Sequence, residues 1–299
     1  MSASSRFCLF KFPVKNQLHR FTRSKFGSFL FFAILISGGL FSVLPLVYCI
    51  TTSFKPLDEL LIFPPTLFTV KRPTIANYTA IPDLLSGLSV PITRYAFNSI
   101  FVSIIGTFLS VIISAMAAFV LSKTEMKFNK LIFTVVQFSL LFNAYTLSVP
   151  QYIVYSKIGI INTYLAYIVP AAASSMGVFL MKQYMDGYVP YALIEAAHID
   201  GAGWIGIFTR IVLPIVRPCV LTLVMFSFLG IWNSVPSGTI FSESLKTLPT
   251  VMSTIAAGGL ARSGSSMATS VILMIFPIAV YLISQGSIKE TMGSAGIKG

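Results

Sequence analysis

Charged side chains are scarce in this sequence. Only 10% of the residues are Asp, Glu, Lys or Arg and 55% are apolar, whereas soluble domains carry about 25% charged residues. The mean hydropathy is +0.84. A chain of this composition cannot cover its own surface in water, which excludes a soluble globular enzyme, a disordered protein and a repeat array.

Few residues could ligate a metal or form a disulfide. The cysteines are Cys8, Cys49 and Cys219, with no CxxC pair, and the histidines are His19 and His198, which lie far apart. Zinc sites and disulfide frameworks need paired or closely spaced residues, so neither is supported. We therefore predict no metal site and no bound cofactor.

Motifs of nucleotide-binding and catalytic sites are also missing. The sequence contains no GxxxxGK[ST], GxSxG or HExxH. Residues 201–206 read GAGWIG, but a dinucleotide site needs this glycine pattern after a strand in a βαβ unit, which the surrounding sequence does not predict. The chain is thus predicted to be no enzyme, with no catalytic residue, and to bind no ATP itself. Any ATP-derived energy must come from another subunit.

Long stretches without any charge dominate the chain. Each is long enough for the ~20 apolar residues with which a helix crosses a ~30 Å hydrocarbon core. Backbone groups in lipid must be satisfied internally, so the stretches are predicted to be helices. The fold class is therefore an all-α integral membrane protein with six transmembrane helices, the first of them an uncleaved anchor. The six spans lie at about 28–53, 95–121, 131–151, 161–183, 212–234 and 266–287.

The distribution of Lys and Arg predicts the orientation. Six basic residues lie in the first 25 positions, directly before the first span. With the N-terminus in the cytoplasm, fourteen of the 21 Lys and Arg residues fall inside and seven outside, as the positive-inside rule favours. The basic tail therefore points to lipid headgroups rather than to nucleic acid.

This orientation divides the chain into regions. A basic cytoplasmic tail (1–27) precedes the first transmembrane helix (28–53) and an extracytoplasmic loop rich in proline (54–94). The transmembrane core follows at 95–287, and a cytoplasmic tail at 288–299 ends the chain. The loop at 235–265, rich in Ser, Gly and Thr, is a second extracytoplasmic segment.

The cytoplasmic connection between spans four and five has the most specific pattern. Within residues 190–218, Pro190 can occupy the first position of a helix, and Gly201 can end that helix in a left-handed conformation. Two small residues, Ala196 and Ala197, form a thin ridge that another backbone can approach, and Glu195 offers a charge to a basic partner. The pattern predicts a helix–turn–helix outside the bilayer.

The same segment resembles the EAA loop of permeases from binding-protein-dependent ABC importers. It matches EAA-x2-DGA-x5-F-x2-I-x-LP-x3-P at every fixed position, from Glu195 to Pro218. The chain also resembles the maltose-type sugar permeases. Three features carry that finer resemblance: six spans, Trp232-Asn233 near the end of span five, and the ending Ala295-Gly296-Ile297-Lys298-Gly299.

The resemblance implies a place in a larger assembly. The loop would dock into a groove of a cytoplasmic ATPase and pass rigid-body motion to the spans, which then alternate between inward and outward openings. Implied partners are a second, related permease, two ATPase subunits or domains that bind the ATP, and an extracytoplasmic solute-binding protein, in the cell membrane of a prokaryote. The docking residues would be Glu195, Ala196, Ala197, Asp200 and Gly201.

Polar and aromatic residues within the spans are candidates for the substrate pathway, because sugars are held by hydrogen bonds and aromatic faces. Each could instead only bond a neighbouring helix. Apart from Lys182 and Arg217 near their predicted cytoplasmic ends, the spans carry no charge, which suits a neutral solute such as a sugar or oligosaccharide. The candidates are Asn143, Tyr145, Gln151, Tyr152, Trp232 and Asn233.

Other functions stay open from the sequence alone. An importer of the same class could carry an amino acid, a peptide, phosphate or a polyamine. An ion-coupled secondary transporter would need no ATPase subunit, and a membrane-embedded enzyme would need catalytic groups that the sequence does not provide. A row of small residues in span two is interpreted as helix packing: Ser110, Ser114, Ala118 and Ser122.

Overall fold

The computed structural model describes residues 25–63, 66–86, 90–142, 144–236 and 238–295. Regular structure in these ranges is helical throughout, with no strand. Most of the predicted N-terminal tail (1–24), Asn143 and the last four residues lie outside them. The helices are α1 Lys25–Ser53, α2 Leu57–Leu60, α3 Ala76–Leu85, α4 Ile92–Lys123, α5 Asn129–Ser139, α6 Ala144–Ile158, α7 Leu165–Ala172, α8 Ser175–Tyr188, α9 Tyr191–Ile199, α10 Trp204–Ile207, α11 Leu213–Ile215, α12 Arg217–Trp232, α13 Leu248–Ala256 and α14 Ser263–Ala295.

The chain divides into two units, residues 1–47 and 48–299. The described part of the first unit belongs to α1, whose apolar side chains, such as Phe29 and Phe41, are largely exposed. An unbroken apolar helix of 28 residues, Phe26–Ser53, is long enough to cross a bilayer. The first predicted span therefore corresponds to a helix that begins three residues earlier than expected.

Helix α4 is the central element of the second unit. It packs against α7, α8 and α12, and the row of small residues predicted for packing faces these neighbours. A Cβ atom on Gly177 of α8 would lie 2.4 Å from the Ser114 hydroxyl oxygen, so the two backbones approach closely. The hydroxyl oxygens of Ser110 and Ser227 on α12 are 3.2 Å apart. Small side chains thus permit tight helix packing here, as predicted.

Four helices are long and apolar enough to span a membrane by length and composition. Besides α1, they are α4, the pair α7–α8 over Leu165–Tyr188, and α14 over Ser263–Gly286. The fifth predicted span appears only as a bent pair, Trp204–Ile215 and Arg217–Trp232, at an angle of 82°. The third is divided into α5 and α6. Six spans therefore remain a prediction, with four or five supported.

The proline-rich segment predicted as a loop over 54–94 contains regular structure. Helices α2 and α3 lie within it, and Ile81 and Leu85 of α3 are buried with Val251 and Ile255 of α13. Polar contacts also hold the segment in place: the Asn77 side-chain amide donates to the carbonyl oxygens of residues 53 and 55, at 2.8 Å each. Prolines mark turns reliably, but they did not reveal that this segment folds onto α13.

Candidate functional site

The segment between the fourth and fifth predicted spans forms a short helix with a defined end. Pro190 has φ −65° and ψ 142° and lies just before α9, so the helix begins one residue later than predicted. Gly201 has φ +80°, the left-handed conformation predicted for it. Its N–H donates to the carbonyl of His198 at 3.0 Å, and that of Ala202 donates to Ala197 at 2.9 Å. These bonds end α9 as glycine C-caps do.

One face of α9 is buried and the other is exposed. Ile194 and Ala197 belong to a core with Met181 and Met185 of α8. Glu195, Ala196, Asp200 and Gly201 are exposed. Because successive residues of a helix point about 100° apart, the two alanines do not form one outward ridge. The sequence interpretation is corrected here: Ala197 packs inward, and Ala196 alone is free for a partner.

Exposed apolar residues flank the acidic ones, which the sequence analysis did not identify. Ile199 is 86% exposed and Ile205 is 81% exposed. The surface of this segment therefore combines open apolar side chains with the carboxylates of Glu195 and Asp200. The sequence provided little indication of this exposure, because an isoleucine in a strongly apolar chain more often faces lipid or is buried.

Two polar contacts join α9 to the end of α4. The Tyr191 hydroxyl donates to the carbonyl oxygen of Ser122 at 2.6 Å. The Lys123 ammonium donates to the carbonyl oxygen of Val189 at 2.7 Å and lies 4.6 Å from the centre of the Tyr191 ring. These contacts connect the start of α9 and the residue two positions before it to the last turn of α4.

The predicted pathway residues are dispersed. Asn143 lies outside the described residues, and so does the side chain of Tyr145. Gln151 donates to the Tyr155 hydroxyl within α6, and Tyr152 is exposed. Among the described residues, these observations do not bring the α6 candidates together in one binding site.

The two candidates at the end of α12 differ in exposure: Trp232 is buried and Asn233 is exposed. Trp232 is 2% exposed, and its ring centre lies 4.9 Å from that of Phe276. The Asn233 amide donates to the carbonyl of Leu229 at 3.0 Å. The Trp232 ring thus packs against α14, while its buried indole N–H has no hydrogen-bond partner among the described residues. The Asn233 side chain bonds to its own helix. A place of these two residues in the substrate pathway stays a prediction.

A cavity of about 360 Å³ lies between α4, α7, α8 and α12. None of the described pathway candidates lines it, and no charged side chain does. Serine hydroxyls and one phenol give it polar groups among apolar walls. The sequence analysis interpreted Ser110 only as a packing residue. A comparison of the serine positions on the predicted spans could have indicated the other polar residues of the cavity. The polar lining residues are Ser110, Tyr167, Ser174, Ser227 and Ser234.

Curated proteins similar to the chain are transport permeases, although no protein-family model matches it. It is 28% identical over 277 residues to the sulfoquinovosyl glycerol transport system permease protein SmoH of Agrobacterium fabrum, covering 91% of this chain and 93% of SmoH. It is 29% identical over 266 residues to the arabinooligosaccharides transport system permease protein AraQ of Halalkalibacterium halodurans, covering 86% and 92%. Protein LplC of Bacillus subtilis is 33% identical over 207 residues, covering 67% and 65%.

A solved structure shares the fold. The chain superposes on a chain of a bacterial ABC transporter involved in the import of the acidic polysaccharide alginate, with a TM-score of 0.72 and 18% identity, over 89% of this chain and 99% of the other. The fold and the relatives agree: over most of its length the chain is similar to the permeases of sugar ABC transporters, which confirms the resemblance predicted from the sequence.

Proposed function

We propose that the chain is a transmembrane subunit of an ATP-driven importer that takes up a sugar or oligosaccharide by alternating access. The observation that carries the proposal is α9: it presents an acidic and apolar outer face, and its start is bonded to the end of α4 through Lys123 and Tyr191. A helix held in this way suits a mechanical link between a motor and a membrane bundle.

In this proposal α9 is the coupling helix. The exposed Glu195, Ala196, Asp200 and Gly201 enter a groove of a cytoplasmic ATPase, with Ile199 adding apolar contact. Ala197 supports the helix from the inner side. Closure of two ATPase subunits or domains on ATP would move α9 as a rigid body, and α4 would follow it. ATP is bound by those subunits and not by this chain.

The rest of the assembly is proposed from the family. A second, related permease completes the pathway, and an extracytoplasmic solute-binding protein delivers the sugar. The chain crosses the cell membrane of a prokaryote six times, with both termini in the cytoplasm, and α5 and α6 together supply the third crossing.

The cavity supports a polar cargo rich in hydroxyl groups. Hydroxyl groups both donate and accept hydrogen bonds, as sugar recognition requires, and an ionised group in an apolar membrane cavity would need a partner. SmoH and AraQ are named for the transport of a sugar glycoside and of oligosaccharides. These relatives favour a carbohydrate as the cargo over an amino acid, a peptide, phosphate or a polyamine.

The experiment that tests this proposal is co-purification of the chain with its assembly, followed by reconstitution in liposomes. We expect two ATPase subunits and a second permease to co-purify, and mass spectrometry to find a carbohydrate on the associated binding protein. Uptake of that carbohydrate should require ATP on the ATPase side. Uptake driven by an ion gradient without ATPase subunits would contradict the proposal.

A further inference from the structure

A basic cleft lies at the end of α4, between the α4–α5 turn and the start of α9. Its volume is about 660 Å³. Four lysines and one aspartate are its ionisable acidic and basic residues: Lys123, Lys127, Lys130, Lys182 and Asp186.

The lysines of this basic cleft have different roles. Lys182 is paired with Asp186 at 2.6 Å, and that carboxylate also accepts from the Ser122 hydroxyl. Lys123 is buried and bonded to Val189. Lys127 and Lys130 are exposed and form no ion pair with any residue in the described ranges. Within the described residues, the cleft therefore keeps positive charge that no carboxylate neutralises.

The first turn of α5 adds to this positive potential. The helix has 11 residues and starts at Asn129, and its N-cap Phe128 provides no side-chain acceptor. The amino end of a helix carries a partial positive charge. The one other carboxylate on the α4–α5 turn, Glu125, is exposed and does not line the cleft. An anion is the ligand that this arrangement favours.

An apolar groove continues from the basic cleft. It has a volume of about 420 Å³ and shares Leu121 and Met126 with the cleft. Its walls run along α4 and onto α5, and every lining side chain is apolar: Ile113, Met116, Ala117, Val120, Leu121, Met126 and Ile132.

The dimensions of the two spaces match one leaflet of a bilayer. Ile113 precedes Lys123 by ten residues of one helix, which is about 15 Å at 1.5 Å per residue. Half of the ~30 Å hydrocarbon core has the same thickness. In the orientation proposed above, on which this inference rests, the cleft lies at the level of the cytoplasmic headgroups while the groove runs through the hydrocarbon of that leaflet.

We propose that the basic cleft and the apolar groove together bind one anionic phospholipid. The phosphate lies between Lys127 and Lys130 near the first turn of α5, and an acyl chain lies along Met116 and Val120 of the groove. A soluble phosphate would account for the lysines but not for an apolar groove that opens from them. The lipid also touches Tyr191, so it fills the space beside the first residue of α9.

Lipid titration of the full chain, purified in detergent and observed by native mass spectrometry, tests the headgroup contact. The probes are phosphatidylglycerol and phosphatidylcholine, and the variant is Lys127→Gln with Lys130→Gln. Each lysine near an anionic headgroup contributes about fivefold in affinity, so we expect the double variant to bind the first phosphatidylglycerol about 25-fold more weakly. Lys71→Gln with Lys157→Gln removes the same charge from exposed sites elsewhere and should bind as the unmodified chain does.

A second variant tests the acyl chain. Met116 is exposed, so Met116→Trp should fill the groove without disturbing the core, and it should weaken phosphatidylglycerol binding several-fold. Phe108→Trp is the matched control, because Phe108 is an exposed residue of the same helix that does not line the groove. Inorganic phosphate should compete only weakly with the lipid.

Three results would overturn the proposal. One is equal retention of phosphatidylglycerol by the lysine double variant and its control. Another is unchanged lipid binding in Met116→Trp together with full displacement by inorganic phosphate, which would indicate a soluble-anion site. The third is loss of the lipid when the transporter is assembled, since another chain would then occupy the groove.

Discussion

The Lys123 ammonium donates a hydrogen bond to the carbonyl oxygen of Val189 at 2.7 Å, although the two residues are 66 positions apart in the sequence. Lys123 is the last residue of α4 and is only 4% exposed. Val189 follows α8 and precedes Pro190, the N-cap residue just before α9. The bond therefore fixes the entrance of α9 to the end of the helix around which the bundle packs.

Replacement of this lysine by a similar apolar side chain tests the link. Lys123→Met leaves the Val189 carbonyl without its donor, and hydrogen bonds to charged groups contribute about 1.5–3 kcal/mol. We expect the free energy of unfolding to fall by about 2 kcal/mol and ATP-dependent uptake to fall with it. Thermal unfolding in detergent and uptake in liposomes measure the two effects. Lys157→Met, at an exposed position, is the control; an equal effect there would contradict a specific role for Lys123.

The sequence predicted the features of α9 that depend on local backbone chemistry. Pro190 and Gly201 bracket the helix because one lacks an N–H and the other tolerates a positive φ. The sequence did not predict which side of α9 faces outward, because Ala196 and Ala197 are chemically identical. Only the packing of Ile194 and Ala197 against Met181 and Met185 decides this.

Hydropathy was also a partial guide to the spans. It located α1, α4 and α14 because each is one continuous apolar helix. It could not show that the stretch at 131–151 is divided after Ser139, or that the fifth span bends by 82° next to Val216. Lack of charge permits a helix to cross a membrane but does not determine where the backbone turns. The cavity was missed for a similar reason, since its serines come from separate helices.

The close approach of α4 and α8 makes Gly177 sensitive to a single added methyl group. A Cβ there would lie 2.4 Å from the Ser114 hydroxyl oxygen and 3.0 Å from its Cβ. Overpacking of this kind costs about 1–3 kcal/mol, so Gly177→Ala should lower the melting temperature measured in detergent.

A second substitution identifies the cause. The Ser114 hydroxyl has no hydrogen-bond partner among the described residues, so Ser114→Ala should cost little alone and should restore part of the stability lost in Gly177→Ala. Gly230→Ala is the matched control, because no atom lies within 4 Å of an added Cβ at that position. Additive losses in the double variant would contradict the steric explanation.

Two substitutions on α9 test its docking to an ATPase. Glu195→Lys reverses the charge of an exposed side chain. Gly201→Pro replaces a residue at φ +80° by one restricted to about −65° and removes the N–H that donates to His198. Both should abolish ATP-dependent uptake while the chain still inserts into the membrane. Asp83→Lys, an equal charge reversal on exposed α3, should keep transport; full transport by both α9 variants would remove the docking role.

The proposed orientation predicts which positions a membrane-impermeant maleimide reaches in intact cells. In a background in which Cys8, Cys49 and Cys219 are replaced by alanine, Ser86→Cys should be labelled from outside. Glu125→Cys, on the α4–α5 turn, should be labelled only after the membrane is opened. Both positions are exposed, so a difference in labelling reports sidedness and not burial. The reverse pattern would invert the topology.

Filling the cavity separates solute passage from coupling. Ser227 lines the cavity beside Ser110, and Ser227→Phe places a large ring in a space of about 360 Å³. If the solute passes here, uptake should fall at least about tenfold, which corresponds to roughly 1.4 kcal/mol, while ATP hydrolysis by the assembled complex continues. Ser227→Ala removes the hydroxyl and keeps the space, so it should reduce uptake less.

The same enlargement at a distant position controls for a general effect of a new aromatic ring. Ser42→Phe places the ring on the exposed surface of α1, where an apolar side chain is compatible with lipid, and uptake should be unchanged. Normal uptake by Ser227→Phe would show that the solute travels elsewhere. Loss of both uptake and ATP hydrolysis would instead mean that the ring disturbs the contact between α4 and α12, since Ser110 and Ser227 also join these helices.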